Sequence, residues 1–197
     1  MPTALTGEHV DALFEDLEIE GATVHGASFE SCRFSRCHLE DLRFEDCRFV
    51  DCLLADCDLV NLQLPGSTML DVVFMRGRAM GVDWVGLRRL TLALRFEDVR
   101  MDYANFTGMP LQRTAFERCG LRGAVFTECD LTRASFPGSD LSGAVIRHAA
   151  LRHTDLRGTR GCRFDPHSCT TSGTLVDVDT ALDMLRGLGV RCPDLGG

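Results

Sequence analysis

Ten cysteines and six histidines are the residues of this 197-residue chain with the readiest chemistry. In a small chain, cysteines at that density suggest a disulfide scaffold. Their phase argues otherwise. Cys32, Cys37, Cys47, Cys52, Cys57, Cys119 and Cys129 all fall at one position of a five-residue pattern, among small residues. A cysteine held to such positions is expected to be a compact buried hydrophobe. Cys32 and Cys52 are twenty residues apart, as are Cys37 and Cys57. Stacking would bring each pair within disulfide range, but a reducing cytosol weighs against bridging. No CxxC spacing occurs, which weighs against zinc; Cys162, His167 and Cys169 lack a fourth ligand and read as an irregular cap. His148 and His153 are five apart and should lie on adjacent faces. There is no GxSxG, no GKS/T phosphate loop and no HExxH. Neither catalysis, a metal nor a cofactor is expected.

The element that positions all these residues is a period of five. From Phe106 the centres are Phe106, Leu111, Phe116, Leu121, Phe126, Leu131, Phe136, Leu141, Ile146, Leu151 and Leu156. Two places before each sits a residue that is mostly small, such as Ala104, Thr114, Cys119, Ala124, Ala134 and Ser139. A helix needs apolar residues at about 3.6 spacing and a strand at 2, so this pattern fits neither. A pair of inward residues two apart is a short extended segment. The next pair comes three residues later, so the chain must turn between them. Four such segments close a square coil of about twenty residues, and stacked coils can pair their backbones about 4.8 Å apart. Gly108, Gly123, Gly138, Gly143 and Gly158 suit the turns, because glycine accepts positive φ.

Segments such as Ala104-Asn105-Phe106-Thr107-Gly108 and Ser139-Asp140-Leu141-Ser142-Gly143 resemble the A(D/N)LXX unit of the pentapeptide-repeat family. The resemblance spans roughly residues 17–164 and implies an all-β solenoid, a right-handed quadrilateral β-helix; the change to helical spacing over Val178 to Leu188 reads as a short C-terminal α-helix that could cover the last coil. Residues 1–13 read as a lead-in or cap, 14–166 as the β-helix, and 167–197 as a C-terminal cap and dimerisation helix. The register weakens at Gly77 to Ala79 and breaks over 85–95, where Trp84 to Phe96 holds two residues too many. That excess reads as a loop, bulge or kink, with Arg88 and Arg89 as its candidate contact residues. Asp179 can cap a helix in which Val178, Ala181, Leu182, Leu185 and Leu188 form the apolar face. In topoisomerase-protecting members of the family a similar helix forms the dimer, so a homodimer is expected here.

Outward positions carry the charge. The first 75 residues hold 15 acids and 4 arginines; the remainder hold 14 acids and 17 arginines, and there is no lysine. Asp41, Asp46, Asp51 and Asp56 should ring one coil. Asp71 should stack above Asp51, and Glu20 and Glu40 should share a column. Arg113, Arg133 and His153 form a second column with Arg152 beside it, either a neutralising stripe or a contact. An acidic rod repels phosphate, so direct nucleic-acid binding is not expected. It can compete for a basic groove, or it can be a solubilising coat. The resemblance to the Qnr, mycobacterial fluoroquinolone-resistance and albicidin-immunity branches implies a DNA mimic that binds DNA gyrase or another type II topoisomerase, protecting it from a poison or inhibiting it. The alternative is a scaffold for a different protein. No stretch approaches the roughly twenty apolar residues that span a bilayer, and a cytoplasmic location is expected.

Overall fold

The computed structural model describes residues 3–90 and 92–191. Thr91, in the expected register break, and Cys192 lie outside the described residues. The chain winds as a four-sided parallel β-solenoid, each side being a stack of three- or four-residue strands. The first face stacks Glu8–Val10, Ser28–Glu30, Arg48–Val50 and Thr68–Leu70. On the second, Phe14, Phe34, Leu54 and Phe74 pair at twenty-residue steps, and Phe96 and Phe116 continue the ladder. The third stacks Glu18–Glu20, His38–Glu40, Asp58–Val60 and Arg78–Met80. The fourth begins with Thr23–His25 and Arg43–Glu45. Outside these strands single parallel bridges carry the same register, as in Asn105 to Val125 to Val145.

Each centre side chain points inward and stacks on the centre of the coil below. Ring centroids are 4.7 Å apart for Phe14 and Phe34, 4.8 Å for Phe29 and Phe49, and 4.8 Å for Phe116 and Phe136. That separation is close to the spacing of paired strands, so backbone and core share one rise. Phe106, Leu111, Phe116, Leu121, Phe126, Leu131, Phe136 and Leu141 are all fully buried.

The small inward residue has a second duty. The Cys52 thiol donates to the Phe29 carbonyl at 3.4 Å, the Ser139 hydroxyl to Phe116 at 2.8 Å and the Thr154 hydroxyl to Leu131 at 2.7 Å. In every case the acceptor lies 23 residues earlier, in the coil beneath. Polar atoms buried beside the core are thereby satisfied. The nine described cysteines are all free. Burial pushes the Cys119 and Cys162 thiols up to about 12 and Cys129 up to about 11, so they stay protonated at neutral pH.

The chain turns two residues past each centre, where φ is positive. Asp11, Asp16, Asp41, Asp46, Asp51, Asp56, Asn61 and Asp71 have φ between 50° and 57°. Aspartate and asparagine tolerate this left-handed conformation better than most residues. The turn glycines noted in the sequence adopt it too, Gly108 at 66° and Gly158 at 73°.

Three places depart from the sequence expectation. The ladder already starts at Glu8, where His9 occupies a centre and stacks on Phe29 at 5.1 Å. Arg78–Met80 is a regular strand despite the weak pattern there: Ala79 fills the centre, and Gly77 takes the inward place because a Cβ would collide with the Cys57 carbonyl. The helix Val178–Gly187 is capped by Asp177 rather than Asp179. Asp177 accepts from Thr180 N at 2.8 Å and, with its other oxygen, from Gly158 N at 2.6 Å, so one carboxylate both starts the helix and ties it to the last coils.

Between Trp84 and Leu94 the two extra residues are absorbed locally. A 3-10 turn, Trp84–Gly86, leads to buried Leu87 and fully exposed Leu90. Downstream the coil resumes with every column displaced by two, and Trp84 stacks on Phe106 at 5.8 Å.

Truncating Phe116 to Ala should cost about 3–5 kcal/mol, because the rigid coils above and below cannot close the gap. Phe116→Asp should leave no cooperative thermal transition in the coils around it. Thermal melting of the two variants checks both outcomes; melting curves identical to that of the parent chain would show that position 116 does not face the axis.

Candidate interaction surface

Asp41, Asp46, Asp51 and Asp56 sit at the four corners of one coil, and Asp71 is one coil above Asp51. Their electrostatic surroundings differ. Asp56 is held by a bidentate pair with Arg76, at 2.9 Å to each oxygen. Asp46 accepts from Arg88 at 2.8 Å, and Asp41 accepts from the Asn61 amide at 3.0 Å. Asp51 and Asp71 have no ion-pair or side-chain hydrogen-bond partner among the described residues. Glu20 and Glu40 are register partners on the third face, beside Glu18 and His38.

The uncompensated acids therefore form two strips. One follows the first face and its corner through Glu8, Asp11, Asp51 and Asp71. The other follows the third face through Glu18, Glu20, Glu40 and Asp41. Higher on the first of these corners stand Arg113, Arg133 and His153, at φ 60°, 61° and 55°, with exposed Arg152 alongside. A single edge of the rod thus passes from acidic to basic.

The corner after the second face carries an arrangement that sequence reading missed. Asp16, Arg36, Asp56, Arg76, Asp98 and Arg118 alternate in sign up one edge. Arg36 grips Asp16 at 2.7 and 2.9 Å, and Arg118 grips Asp98 at 2.8 Å to each oxygen and Glu97 at 2.6 Å. The signal is present at twenty-residue spacing, with one step of twenty-two across the register break. Arg88 also donates to the Gly66 carbonyl at 2.6 Å, and the Arg89 guanidinium lies against Gly108. The two arginines of the break thus clasp the neighbouring coils.

At the C-terminal end Thr180 is fully buried and Met184 packs on the core. Asp183 accepts from Gly161 N at 2.9 Å. The helix seals the last coil through these residues. Ala181 and Leu182 are half-buried, while Val178, Leu185 and Leu188 are exposed, together with Leu175, Val176 and Val190. Among the described residues no three or more His, Cys, Asp or Glu side chains are grouped to hold a metal, and no helix is long and apolar enough to cross a membrane.

A four-sided solenoid with a large apolar residue every five positions and a left-handed corner two places later defines a repeat protein in which each coil contacts only its neighbours. The chain belongs to the pentapeptide repeat family: residues 27–106 match the pentapeptide repeat region and residues 119–158 match eight copies of the repeat. Among solved structures it is similar to two trypsin-treated forms of QnrB1, a plasmid-mediated fluoroquinolone resistance protein. One is 18% identical with a TM-score of 0.61, covering 96% of this chain and 99% of that one. The other is 20% identical with a TM-score of 0.59, covering 94% and 99%. At these identities the likeness is one of fold. No curated relative matches the chain.

The hydrogen bonds from Arg36, Arg76 and Arg118 hold the carboxyls of Asp16, Asp56 and Asp98 below their ordinary value of 3.8. The folded value is the lower one. The stabilisation is therefore complete above the ordinary value and is lost as pH falls through the folded value. Replacing Arg36, Arg76 and Arg118 by Gln should flatten the decline of the urea midpoint below pH 4, relative to the parent chain.

Proposed function

We propose that this protein is a non-enzymatic interaction protein that binds a type II topoisomerase, chiefly DNA gyrase, in place of DNA, and so protects it from a poison or inhibits it. One observation carries the reading. Between Glu8 and Met75 there are 15 acids and 4 arginines. With Arg76, Arg78 and Arg88, which pair with Asp56, Asp58 and Asp46 of these coils, included, about 4.8 Å per coil gives one net negative charge per about 2 Å of axis, against about 1.7 Å for duplex DNA. A basic groove shaped for a duplex would meet a rod of similar linear charge. The fold likeness to a fluoroquinolone resistance protein supports the choice of partner.

The carboxylates without an arginine partner are the ones available to a partner's arginines and lysines, which puts Asp11, Asp51 and Asp71 foremost, with Glu20, Glu40 and the Asn61-bonded Asp41 on the opposite face. Asp46 and Asp56 already have arginine partners and would have to exchange them. Asn keeps the left-handed corner, so Asp11, Asp51 and Asp71 replaced together by Asn should leave the fold intact. Gyrase binding should weaken on the order of tenfold at low salt and lose much of its salt dependence. Binding and supercoiling assays read this directly. Normal protection by the Asn variant, with loss on changing Arg88 and Arg89, would place recognition at the register break and make the acidic coat a solubilising one. Unaltered gyrase activity and no binding would point to a scaffold for another protein.

The same reading includes a twofold homodimer through Val178, Leu185 and Leu188, with Ala181 and Leu182 behind them. The exposed apolar face left after the helix has sealed the coil supports it, and twofold dimers are the commonest closed assembly. Leu185→Glu with Leu188→Glu should convert a dimer to a monomer in sedimentation. The melting temperature should shift little, because Thr180 and Met184 still cover the core. A parent chain already monomeric at micromolar concentration would refute the dimer.

A further inference from the structure

On the edge between the second and third faces lies a recess of about 850 Å³. One glycine of the outward column lies in its floor. The outward column of the third face reads His38, Asp58, Arg78, Arg100, Gly120 and Asp140 from coil to coil, and only Gly120 contributes no side chain. Around this floor stand five guanidiniums, Arg76, Arg78, Arg100, Arg118 and Arg122, in a chain whose net charge is −8.

Four of the five are fixed in place. Arg76 is held by Asp56, Arg78 by Asp58, Arg118 by Asp98 and Glu97, and Arg122 by Asp140 at 2.7 Å. A bidentate carboxylate occupies two of arginine's five N–H donors, so the pairs orient these groups without exhausting them. Arg100 is different. It has no hydrogen-bond or ion-pair partner among the described residues, and it is bridged directly to Arg78 below and Gly120 above. Of the three carboxylates that line the recess, Asp98 is gripped by Arg118, Asp102 accepts from the Arg122 backbone N at 3.0 Å, and Asp140 is taken by the Arg122 side chain. Arg100 thus presents an unpaired guanidinium to the recess, in backbone register with Arg78 below and with Gly120, which adds no side chain of its own, above.

We propose that this recess binds a phosphoryl oxyanion of about the size of pyrophosphate, with Arg100 as its principal ligand and Arg78 and Arg122 in support. Planar guanidinium forks suit phosphate oxygens, and neighbouring forks suit two linked phosphates. The site lies in the basic half of the chain, so it is independent of the acidic surface discussed above and stands whether or not gyrase is the partner.

The test is calorimetric titration of pyrophosphate into the intact protein at low ionic strength. Saturable one-to-one binding is expected. Arg100→Gln should weaken it at least tenfold, and Gly120→Asp, which places a carboxylate on the floor, should abolish it. Arg133→Gln, on another corner, should leave it unchanged. If Gly120→Asp proves unstable, shifts of the Arg100 Nε–H resonance on adding pyrophosphate supply the same answer. No saturable heat, or equal binding by the Arg100→Gln and Arg133→Gln variants, would overturn the site. Citrate binding as tightly as pyrophosphate would overturn its assignment to phosphoryl groups.

Discussion

The structure rests on one constraint: successive coils must hydrogen-bond in parallel at a common rise. Once the backbone of Phe34 is paired with that of Phe14, the ring above has to stack on the ring below. The inward partner has to be small, and the corner has to be left-handed. Each of the three requirements selects a residue type, and the five-residue period is their joint record. Stability is then a sum of nearest-neighbour terms along the axis rather than the property of one central core.

The break at Trp84 to Leu94 shows how strict the constraint is. Two additional residues do not dislocate the ladder. Phe74 still pairs with Phe96 and Arg78 with Arg100, each now twenty-two residues apart. The excess is confined to one edge, where a 3-10 turn, buried Leu87 and the reach of Arg88 to Gly66 and Asp46 stitch it to the coil below. Leu90 is left in solvent because the lattice of pentads has no inward place for it.

How much of this was legible in the sequence follows from which forces act within five residues. The centre positions Phe106 to Leu141 and the turn glycines could be read directly, because burial and positive φ each restrict residue type at a fixed phase. The cysteines could be read as core for the same reason. The sign alternation from Asp16 to Arg118 and the recess beside Arg100 were not legible in that way. Both depend on residues one coil apart that meet only after the register is known, and the two-residue step in the break hides the column from simple counting. The acidic ring around Asp51 was seen, but its physical cause was not: aspartate at the corners is favoured by backbone conformation before any partner is considered.

Trp84 is the only tryptophan in the chain; it is wholly buried, lies edge-on to Phe74 and Phe96 and is stacked on Phe106. Its indole N–H has no acceptor among the described residues. The chain's dominant fluorophore is thus sealed at the seam between the acidic and the basic halves, in a buried aromatic stack. Its emission reports the middle of the rod and is blind to fraying at either tip. In a molecule built of neighbour-to-neighbour contacts, optical melting and the loss of the end coils are therefore separate events, and the light from this one ring marks the last of them rather than the first.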